Sequence, residues 1–126
     1  MLLDTSAWIE FFDGTKQGAR VREVLTKETC YTSIVSISEL VNWSCKEKND
    51  TEFLVNAVGD LSIVVDLNND IAVLAGKLNF ERKKTNKKWG IMDSFVLATA
   101  MYYYLKILSK DPDFGDLQNV EILPKD

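Results

Sequence analysis

The chain has 126 residues, of which 46% are hydrophobic and 27% are charged, so its composition is typical of a soluble globular protein. This length predicts one domain, residues 1–126, and no apolar run reaches the roughly 20 residues that a membrane-spanning helix needs. The formal net charge is −4, which means that only a local basic patch could attract nucleic acid.

Short apolar runs alternate with longer helical patterns along the chain. The runs predict strands at 2–3, 29–32, 61–65, 107–108 and 120–123. Apolar residues three and four positions apart predict helices between the strands, beginning near residue 5 and then covering about 19–27, 34 to the polar stretch 46–50, 51–58, 70–83 and 92–105. This alternation predicts an α/β fold with a central parallel sheet of about four to five strands, covered by helices on both faces. Functional sites in such sheets lie at the carboxyl ends of the strands.

The residue types that the sequence lacks exclude several kinds of chemistry. There is no histidine, which excludes Ser-His-Asp and Cys-His nucleophiles, a histidine general base and any zinc site that uses histidine. Cys30 and Cys45 lack the spacing of a zinc site and lie in apolar surroundings, so we expect buried, reduced thiols. The first residues have no basic flank that would indicate a secretory signal, and we expect a cytoplasmic protein.

Acidic residues follow several of the predicted strands. Asp4 ends the first strand, Asp93 opens the helix before the fourth strand, and Asp111 and Asp113 follow that strand directly. Glu39 lies on the helix after the second strand and could point back to the same edge. Carboxylates gathered in a cleft repel one another, and a divalent cation would remove that penalty. Ligands that are all oxygen select magnesium or manganese over zinc.

Each acid also has a simpler, local interpretation. Asp4 and Asp93 could cap helices, a role worth about 1 kcal/mol. Glu39 lies three residues after Ser36, which is the spacing of a capping box, and the acids after the fourth strand could form a turn and a cap. Four caps at one edge of one sheet are a larger coincidence than one shared cation, which favours the shared site.

Four segments of the chain resemble the motifs of the PIN domain family, and especially those of the small prokaryotic ribonuclease toxins called VapC. They are residues 2–8 (LLDTSAW), 32–40 (TSIVSISEL), 90–100 (GIMDSFVLATA) and 107–114 (ILSKDPDF). The four motifs occur in order, and the similarity extends from residue 2 to about 123. Two positions depart from the family pattern: Ser109 stands where threonine is commoner, and the sequence KKWG before Ile91 is not the usual context.

The resemblance implies a three-layer PIN-like fold and a metal-dependent endoribonuclease that acts on single-stranded RNA. It also implies a homodimer and a cognate antitoxin protein, as in a type II toxin–antitoxin pair. Carried over to this chain, the catalytic acids are Asp4, Glu39, Asp93 and Asp111. The ligands of Mg²⁺ or Mn²⁺ are then Asp4, Asp93 and Asp111, with Asp113 as a further ligand or as a cap for the last helix.

If these acids hydrolyse an RNA phosphodiester, Glu39 and three nearby hydroxyl residues have roles in the reaction. Because the chain has no histidine, proton removal falls to the metal ion or to a carboxylate such as Glu39. Thr5, Ser6 and Ser109 are predicted to orient a ligand or a metal-bound water.

A basic segment precedes the third motif, with five basic residues in seven positions and then a tryptophan: Arg82, Lys83, Lys84, Lys87, Lys88 and Trp89. We expect the cations to neutralise RNA phosphates and Trp89 to stack on a base. The alternative is a solvated helix end whose lysines interact with the helix dipole. For the run of tyrosines at 102–104, core packing or a dimer interface is favoured over base stacking.

Three other functions are alternatives to the toxin ribonuclease. A haloacid-type phosphatase needs a second aspartate two residues after the first, where this chain has Ser6. A PIN-type nuclease of ribosomal RNA maturation or other RNA processing would use the same acids. A non-catalytic RNA-binding module would be expected to lack some of them, and all four main acids are present.

Overall fold

The computed structural model describes residues 1–125, which contain a five-stranded sheet and six α-helices. The strands are β1 (Leu2–Leu3), β2 (Tyr31–Ser33), β3 (Ile63–Val65), β4 (Ile107–Ser109) and β5 (Val120–Ile122). The helices are α1 (Thr5–Asp13), α2 (Lys16–Lys27), α3 (Ile34–Lys46), α4 (Thr51–Leu61), α5 (Asn69–Lys83) and α6 (Ile91–Tyr103), and a 3₁₀ turn covers Pro112–Phe114. All the predicted strands and helices are present, with bounds that differ by a few residues. None of the helices described here has the length and apolar character that a membrane span requires.

The five strands form one parallel sheet in the order β3-β2-β1-β4-β5. The chain moves outward from β1 through β2 to β3, and then returns through α5 and α6 to place β4 on the other side of β1. The direction of winding therefore changes between β1 and β4. Open α/β sheets bind ligands in the crevice outside the strand ends at such a point. The predicted parallel sheet is confirmed, and its order identifies the edge at which to look for a site.

The central strands β1 and β4 are buried on both faces, as expected for parallel strands with apolar sequences, whereas the edge strands β3 and β5 are partly exposed. Leu3 and Leu108 point to a core shared with α1–α4, and their neighbours Leu2 and Ile107 point to a second core shared with α6. This alternation follows from the two-residue repeat of a strand. Helix α5 packs on α6 through a third apolar cluster that includes Ile71. The arrangement is the predicted three-layer fold.

The tyrosines at the end of α6 do not pack in the core. Residues Val96–Ala100 of this helix are buried, whereas Tyr102 and Tyr103 are exposed, and 95% of the Tyr104 surface is accessible. Tyr104 adopts a left-handed conformation (φ 56°) that ends the helix. The prediction of core packing was therefore wrong for these residues, and a dimer interface stays a prediction.

The two cysteines have different environments. Cys30 is buried, as predicted, and burial raises the pKa of its thiol. Cys45 is an exposed free thiol, so the prediction of burial was wrong for this residue. Helix α3 buries a stripe with a four-residue repeat, Ser36, Leu40 and Ser44. Cys45 lies one position after Ser44, about 100° around the helix, and this rotation turns it to solvent.

Gly18 allows α1 and α2 to pack closely. A Cβ atom at this position would lie 2.2 Å from the carbonyl oxygen of Glu10 and 3.1 Å from the Cα of Phe11. We expect Gly18→Ala to lower the free energy of unfolding by about 1–3 kcal/mol, because the two helices must move apart. The matched control is Gly76→Ala in α5, where nothing lies within 4 Å, and it should raise stability by about 0.5–1 kcal/mol. Urea unfolding followed by circular dichroism measures both, and a gain for Gly18→Ala would contradict the packing.

Candidate active site

Asp4 stands directly after β1, at the edge where the winding direction changes. Leu2 and Leu3 pair with Ile107 and Leu108, and the next residue of each strand places Asp4 beside Ser109. The Oδ2 atom of Asp4 accepts hydrogen bonds from the hydroxyls of Ser109 (2.8 Å) and Ser6 (3.0 Å). Asp4 is the N-cap residue of α1, as its local interpretation predicts, but its side chain makes no capping hydrogen bond.

The carboxyl group of Asp4 lies in a buried and negatively charged environment. Only 5% of the residue is exposed, and this burial raises its pKa, while the hydrogen bonds from Ser109 and Ser6 act in the opposite direction. The negative charge of Glu39 raises the pKa further. A second carboxylate therefore lies close enough to Asp4 for their charges to interact.

Glu39 reaches this edge from α3. The capping-box interpretation requires that Ser36 be the N-cap of this helix. The observed N-cap is Ser33, one turn earlier, whose hydroxyl accepts a hydrogen bond from the amide of Val35 (3.3 Å). The proposed capping box between Ser36 and Glu39 is therefore wrong. The Oε1 atom of Glu39 instead accepts a hydrogen bond from the hydroxyl of Thr5 at 2.7 Å. Burial raises the pKa of Glu39, as does the charge of Asp93, against the effect of the Thr5 hydrogen bond.

Asp93 lies inside the first turn of α6, three residues after the N-cap Gly90. Its Oδ2 atom accepts a hydrogen bond from the amide of Gly90 at 3.0 Å, so the residue supports the helix start as well as facing the other acids. Burial raises the pKa of Asp93, and the charges of Asp4, Asp111 and Asp113 raise it further. The charge of Asp93 therefore interacts with acids from both neighbouring strand ends.

Asp111 and Asp113 lie in the turn that follows β4. The amide of Asp111 donates to the Ser109 hydroxyl (3.0 Å), and its Oδ1 accepts from the amide of Asp113 (2.9 Å). Asp111 therefore caps the 3₁₀ turn, so the local interpretation is confirmed for this residue. Both side chains are partly exposed, and both interact electrostatically with Asp93.

The structure thus brings all five predicted acids to one edge of the sheet. All their donor atoms are carboxylate oxygens, a set whose chemistry fits a hard divalent cation and not zinc. Within residues 1–125, however, no three acidic or thiol side chains are placed to hold one ion as they stand. The acids lie near one another and their charges repel, but their side chains are not arranged as the ligands of one ion.

Three hydroxyl groups connect these acids to the backbone and to one another. Ser6 Oγ lies 3.2 Å from Ser109 Oγ and accepts a hydrogen bond from the amide of Lys110 at 2.9 Å. The Thr5 hydroxyl donates to Glu39. All three hydroxyls therefore contact candidate site acids directly, and their predicted role toward a ligand or bound water stays a prediction.

An ion pair beside the acids was missed by the sequence reasoning. Glu10 of α1 is buried, and its carboxylate accepts a hydrogen bond from the ammonium of Lys110. Lys110 stands between Ser109 and Asp111 in the fourth motif, and its position inside that motif was the available signal. The pair joins the segment after β4 to α1, and it fixes the backbone from which Asp111 projects.

The basic segment divides into exposed lysines and two buried groups. The exposed lysines are Lys83, Lys84, Lys87 and Lys88. Arg82 is largely buried and bonds Asp116 and the backbone of Asp113. Trp89 is fully buried, with its ring against Arg82 and Phe114. Because its ring is enclosed by protein, the predicted stacking of Trp89 on a base was wrong.

Known proteins share both the sequence pattern and the fold of this chain. Ribonuclease VapC11 of Mycobacterium tuberculosis is 28% identical over 126 residues, which cover 95% of this chain and 92% of that protein. A toxin–antitoxin complex from Klebsiella pneumoniae contains a chain that superimposes with a TM-score of 0.81 at 20% identity, covering 99% of this chain and 98% of that one. A structure of VapBC2 from Rickettsia felis, bound to a DNA fragment from the VapBC2 promoter, contains a chain that superimposes with a TM-score of 0.76 at 14% identity, with 98% of both chains covered. The PIN domain family profile matches residues 1–120, nearly the whole chain, and this protein therefore belongs to the PIN domain family.

Proposed function

We propose that this protein is an endoribonuclease that hydrolyses RNA phosphodiester bonds at the edge formed by Asp4, Glu39, Asp93 and Asp111. The observation that carries the proposal is the meeting of these acids at one sheet edge, where the hydroxyls of Ser109, Ser6 and Thr5 bond two of them, and their mutual repulsion supports it by raising the pKa of Asp93. A protein maintains such repulsion where the charges serve a function. The relative from M. tuberculosis is named a ribonuclease, which supports the same activity.

Asp4, Asp93 and Asp111, with Asp113, are the residues that would hold Mg²⁺ or Mn²⁺ in this proposal. When bound, such a cation lowers the pKa of a water molecule and polarises the scissile phosphate. The carboxylates supply the negative charge and the oxygen atoms that the cation prefers. The two serine hydroxyls that donate to Oδ2 of Asp4 fix the orientation of that carboxylate.

Glu39 is the group that we assign to accept the proton of the attacking water. The chain has no histidine, and burial raises the pKa of Glu39, which makes its carboxylate a stronger base. The hydrogen bond from Thr5 keeps one of its oxygens directed toward α1 and limits its rotation. The Thr5 hydroxyl therefore acts in this proposal by orienting the base.

The proposed partners are RNA, a cognate antitoxin protein and a second copy of this chain, with residues 1–126 acting as one domain. The antitoxin is supported by the similar solved structure from K. pneumoniae, which is a toxin–antitoxin complex. In this setting the protein is the toxin of a type II pair that acts in the cytoplasm. An RNA-processing nuclease would use the same chemistry, and the map of its cleavage sites would distinguish the two.

Cleavage of a total-RNA pool by the purified protein tests the proposal. We expect new 5′ ends at discrete positions in the presence of Mg²⁺ or Mn²⁺, and their loss when EDTA is added. The Asp93→Asn protein, purified in parallel, reports contamination by other nucleases. Cleavage that is unaffected both by EDTA and by this substitution would contradict the proposal.

The exposed lysines of the basic segment are proposed to contact RNA phosphates. Lys87 and Lys88 take part in no ion pair within residues 1–125, so their charges are available to a ligand. We expect the double substitution Lys87→Gln/Lys88→Gln to reduce the slope of log Kd against log salt by about 1.4, which corresponds to about 0.7 for each phosphate contact with single-stranded RNA.

Filter binding or fluorescence anisotropy between about 50 and 200 mM salt measures this slope, in an Asp93→Asn background that preserves the RNA. The control is Lys46→Gln/Lys48→Gln, which removes two exposed lysines near the end of α3. Equal slopes for the two double variants would show that the charge effect is not local to the basic segment.

A further inference from the structure

We propose that Arg82 is a positioning residue of the candidate active site, whose guanidinium holds the turn of Asp111 and Asp113 against the turn of Asp93. The proposal rests on the proposed function, because it assigns Arg82 a task in placing those acids. It replaces the sequence-based assignment of Arg82 to RNA phosphates.

One side of the guanidinium is bonded to the segment that follows β4. The Nη2 atom donates to the carbonyl oxygen of Asp113 (2.9 Å) and to Oδ1 of Asp116 (2.9 Å), and Nη1 donates to Oδ2 of Asp116 (3.2 Å). The hydrogen bond from Arg82 lowers the pKa of Asp116. Only 16% of the Arg82 side chain is exposed, so these bonds are partly shielded from water. The backbone of a candidate metal ligand, Asp113, is therefore held by an arginine from α5.

The same guanidinium also lies over the ring of Trp89, in the turn before α6. Its Cζ atom lies 4.0 Å from the centre of the Trp89 ring, and the Phe114 ring meets that ring edge-on, with 5.0 Å between ring centres. The indole nitrogen of Trp89 donates to the hydroxyl of Ser94 at 2.7 Å. Ser94 follows Asp93 in the chain, and Gly90 next to Trp89 donates its amide to Asp93. The cluster of Arg82, Trp89 and Phe114 thus joins the two turns that carry the acids.

Helix α5 supports this cluster at a second point. Asn79, three residues before Arg82 and on the same side of the helix, accepts a hydrogen bond from Ser94 through Oδ1 at 3.2 Å. One helix therefore bonds both the start of α6 and the turn after β4. A phosphate-binding arginine, in contrast, would be exposed to solvent, as Lys87 and Lys88 are.

The substitution Arg82→Lys separates positioning from charge. Lysine keeps the positive charge, but it cannot form the two-pronged bond to Asp116 or place a guanidinium over the Trp89 ring. We expect kcat for RNA cleavage and the affinity for Mn²⁺ to fall by about 10- to 100-fold in both Arg82→Lys and Arg82→Ala, with KM nearly unchanged. The control is Lys77→Ala, an exposed lysine on the same helix, which should behave as wild type.

Mn²⁺ titration followed by electron paramagnetic resonance gives an affinity that does not depend on cleavage. Asp116→Asn serves as a second variant, because its side chain is 69% exposed and its loss should leave the fold intact. We expect it to weaken Mn²⁺ binding in the same direction and by less than Arg82→Lys. A folded Arg82→Lys protein with wild-type kcat and Mn²⁺ affinity, or with a change in KM alone, would overturn the proposal. An inactive wild-type protein would contradict the proposed function, and the Mn²⁺ affinities would still decide the role of Arg82.

Discussion

The substitution Asp93→Asn is expected to reduce RNA cleavage by about 100-fold or more, because it removes the carboxylate that interacts with acids from both neighbouring strand ends. Asparagine has nearly the same shape, and its side-chain oxygen can still accept the hydrogen bond that Gly90 donates to Asp93. The start of α6 should therefore be preserved while the charge is lost. Single-turnover cleavage of an RNA that contains one mapped site measures the effect.

The same variant should be as stable as wild type, or more stable, when EDTA is present. Burial and the charges of Asp4, Asp111 and Asp113 disfavour the ionised form of Asp93 in the folded protein, and the neutral amide removes this repulsion. An unfolding temperature equal to or above that of wild type, together with the loss of cleavage, would separate a functional acid from a structural one. A variant that unfolds earlier and still cleaves RNA would reverse the assignment.

A matched substitution controls for the chemistry of the change. Asp60 lies on the exposed surface of α4, and Asp60→Asn alters the net charge of the protein by the same amount. It should leave both cleavage and the unfolding temperature near those of wild type. If Asp60→Asn reproduces the effects of Asp93→Asn, then overall charge and not the candidate site is responsible.

The position of the site could be predicted from sequence because it depends on the ends of buried strands. The runs at 2–3 and 107–108 are apolar without alternation, which is typical of parallel strands with both faces covered. An acid that follows either run must then lie at the carboxyl edge of the sheet. Asp4 does bond Ser109 there, and Ser109 is the second residue before Asp111. Strand polarity alone thus brought together residues that are far apart in the chain.

Contacts that depend on side-chain packing could not be predicted in this way. Trp89 follows a run of lysines, a pattern typical of an exposed segment, but its ring is buried by Arg82 from α5 and by Phe114 from the turn after β4. The bond between Thr5 and Glu39 requires that α3 begin at Ile34, and the sequence also offered a later serine as its cap. Local patterns identify the elements, whereas the packing between them decides which side chains meet.

The second large effect is a dependence of stability on pH that changes sign when a divalent cation is added. Asp4, Glu39 and Asp93 all have a raised pKa in the folded protein. Between the ordinary and the raised pKa, the folded state binds more protons than the unfolded state, so the free energy of unfolding increases as the pH falls. In EDTA, we therefore expect the protein to gain stability from these acids on acidification, and to lose it as the pH rises to neutral.

Saturating Mg²⁺ or Mn²⁺ should give the opposite slope. The cation binds the ionised carboxylates, and it stabilises the folded state by about 2.7 kcal/mol at a concentration 100 times its Kd. Protons compete for the same oxygens, so this stabilisation is largest near neutral pH and is lost on acidification. Thermal unfolding between about pH 5 and pH 8, with and without cation, should give two curves that converge toward the acid end.

Comparison with Asp93→Asn isolates the contribution of the candidate site. Glu121 and Asp116 have lowered pKa values because arginines donate hydrogen bonds to them, and their contribution to stability is lost on acidification, below the ordinary range of a carboxyl group. Asp13 contributes a raised pKa, caused first by burial. All three are unchanged by the substitution at Asp93, so they cancel when the curves of wild type and variant are subtracted. The stability of wild type minus that of the variant should increase as the pH falls in EDTA, and it should decrease as the pH falls when the cation is present. Only charges that share one site can exchange protons for a metal ion in this way.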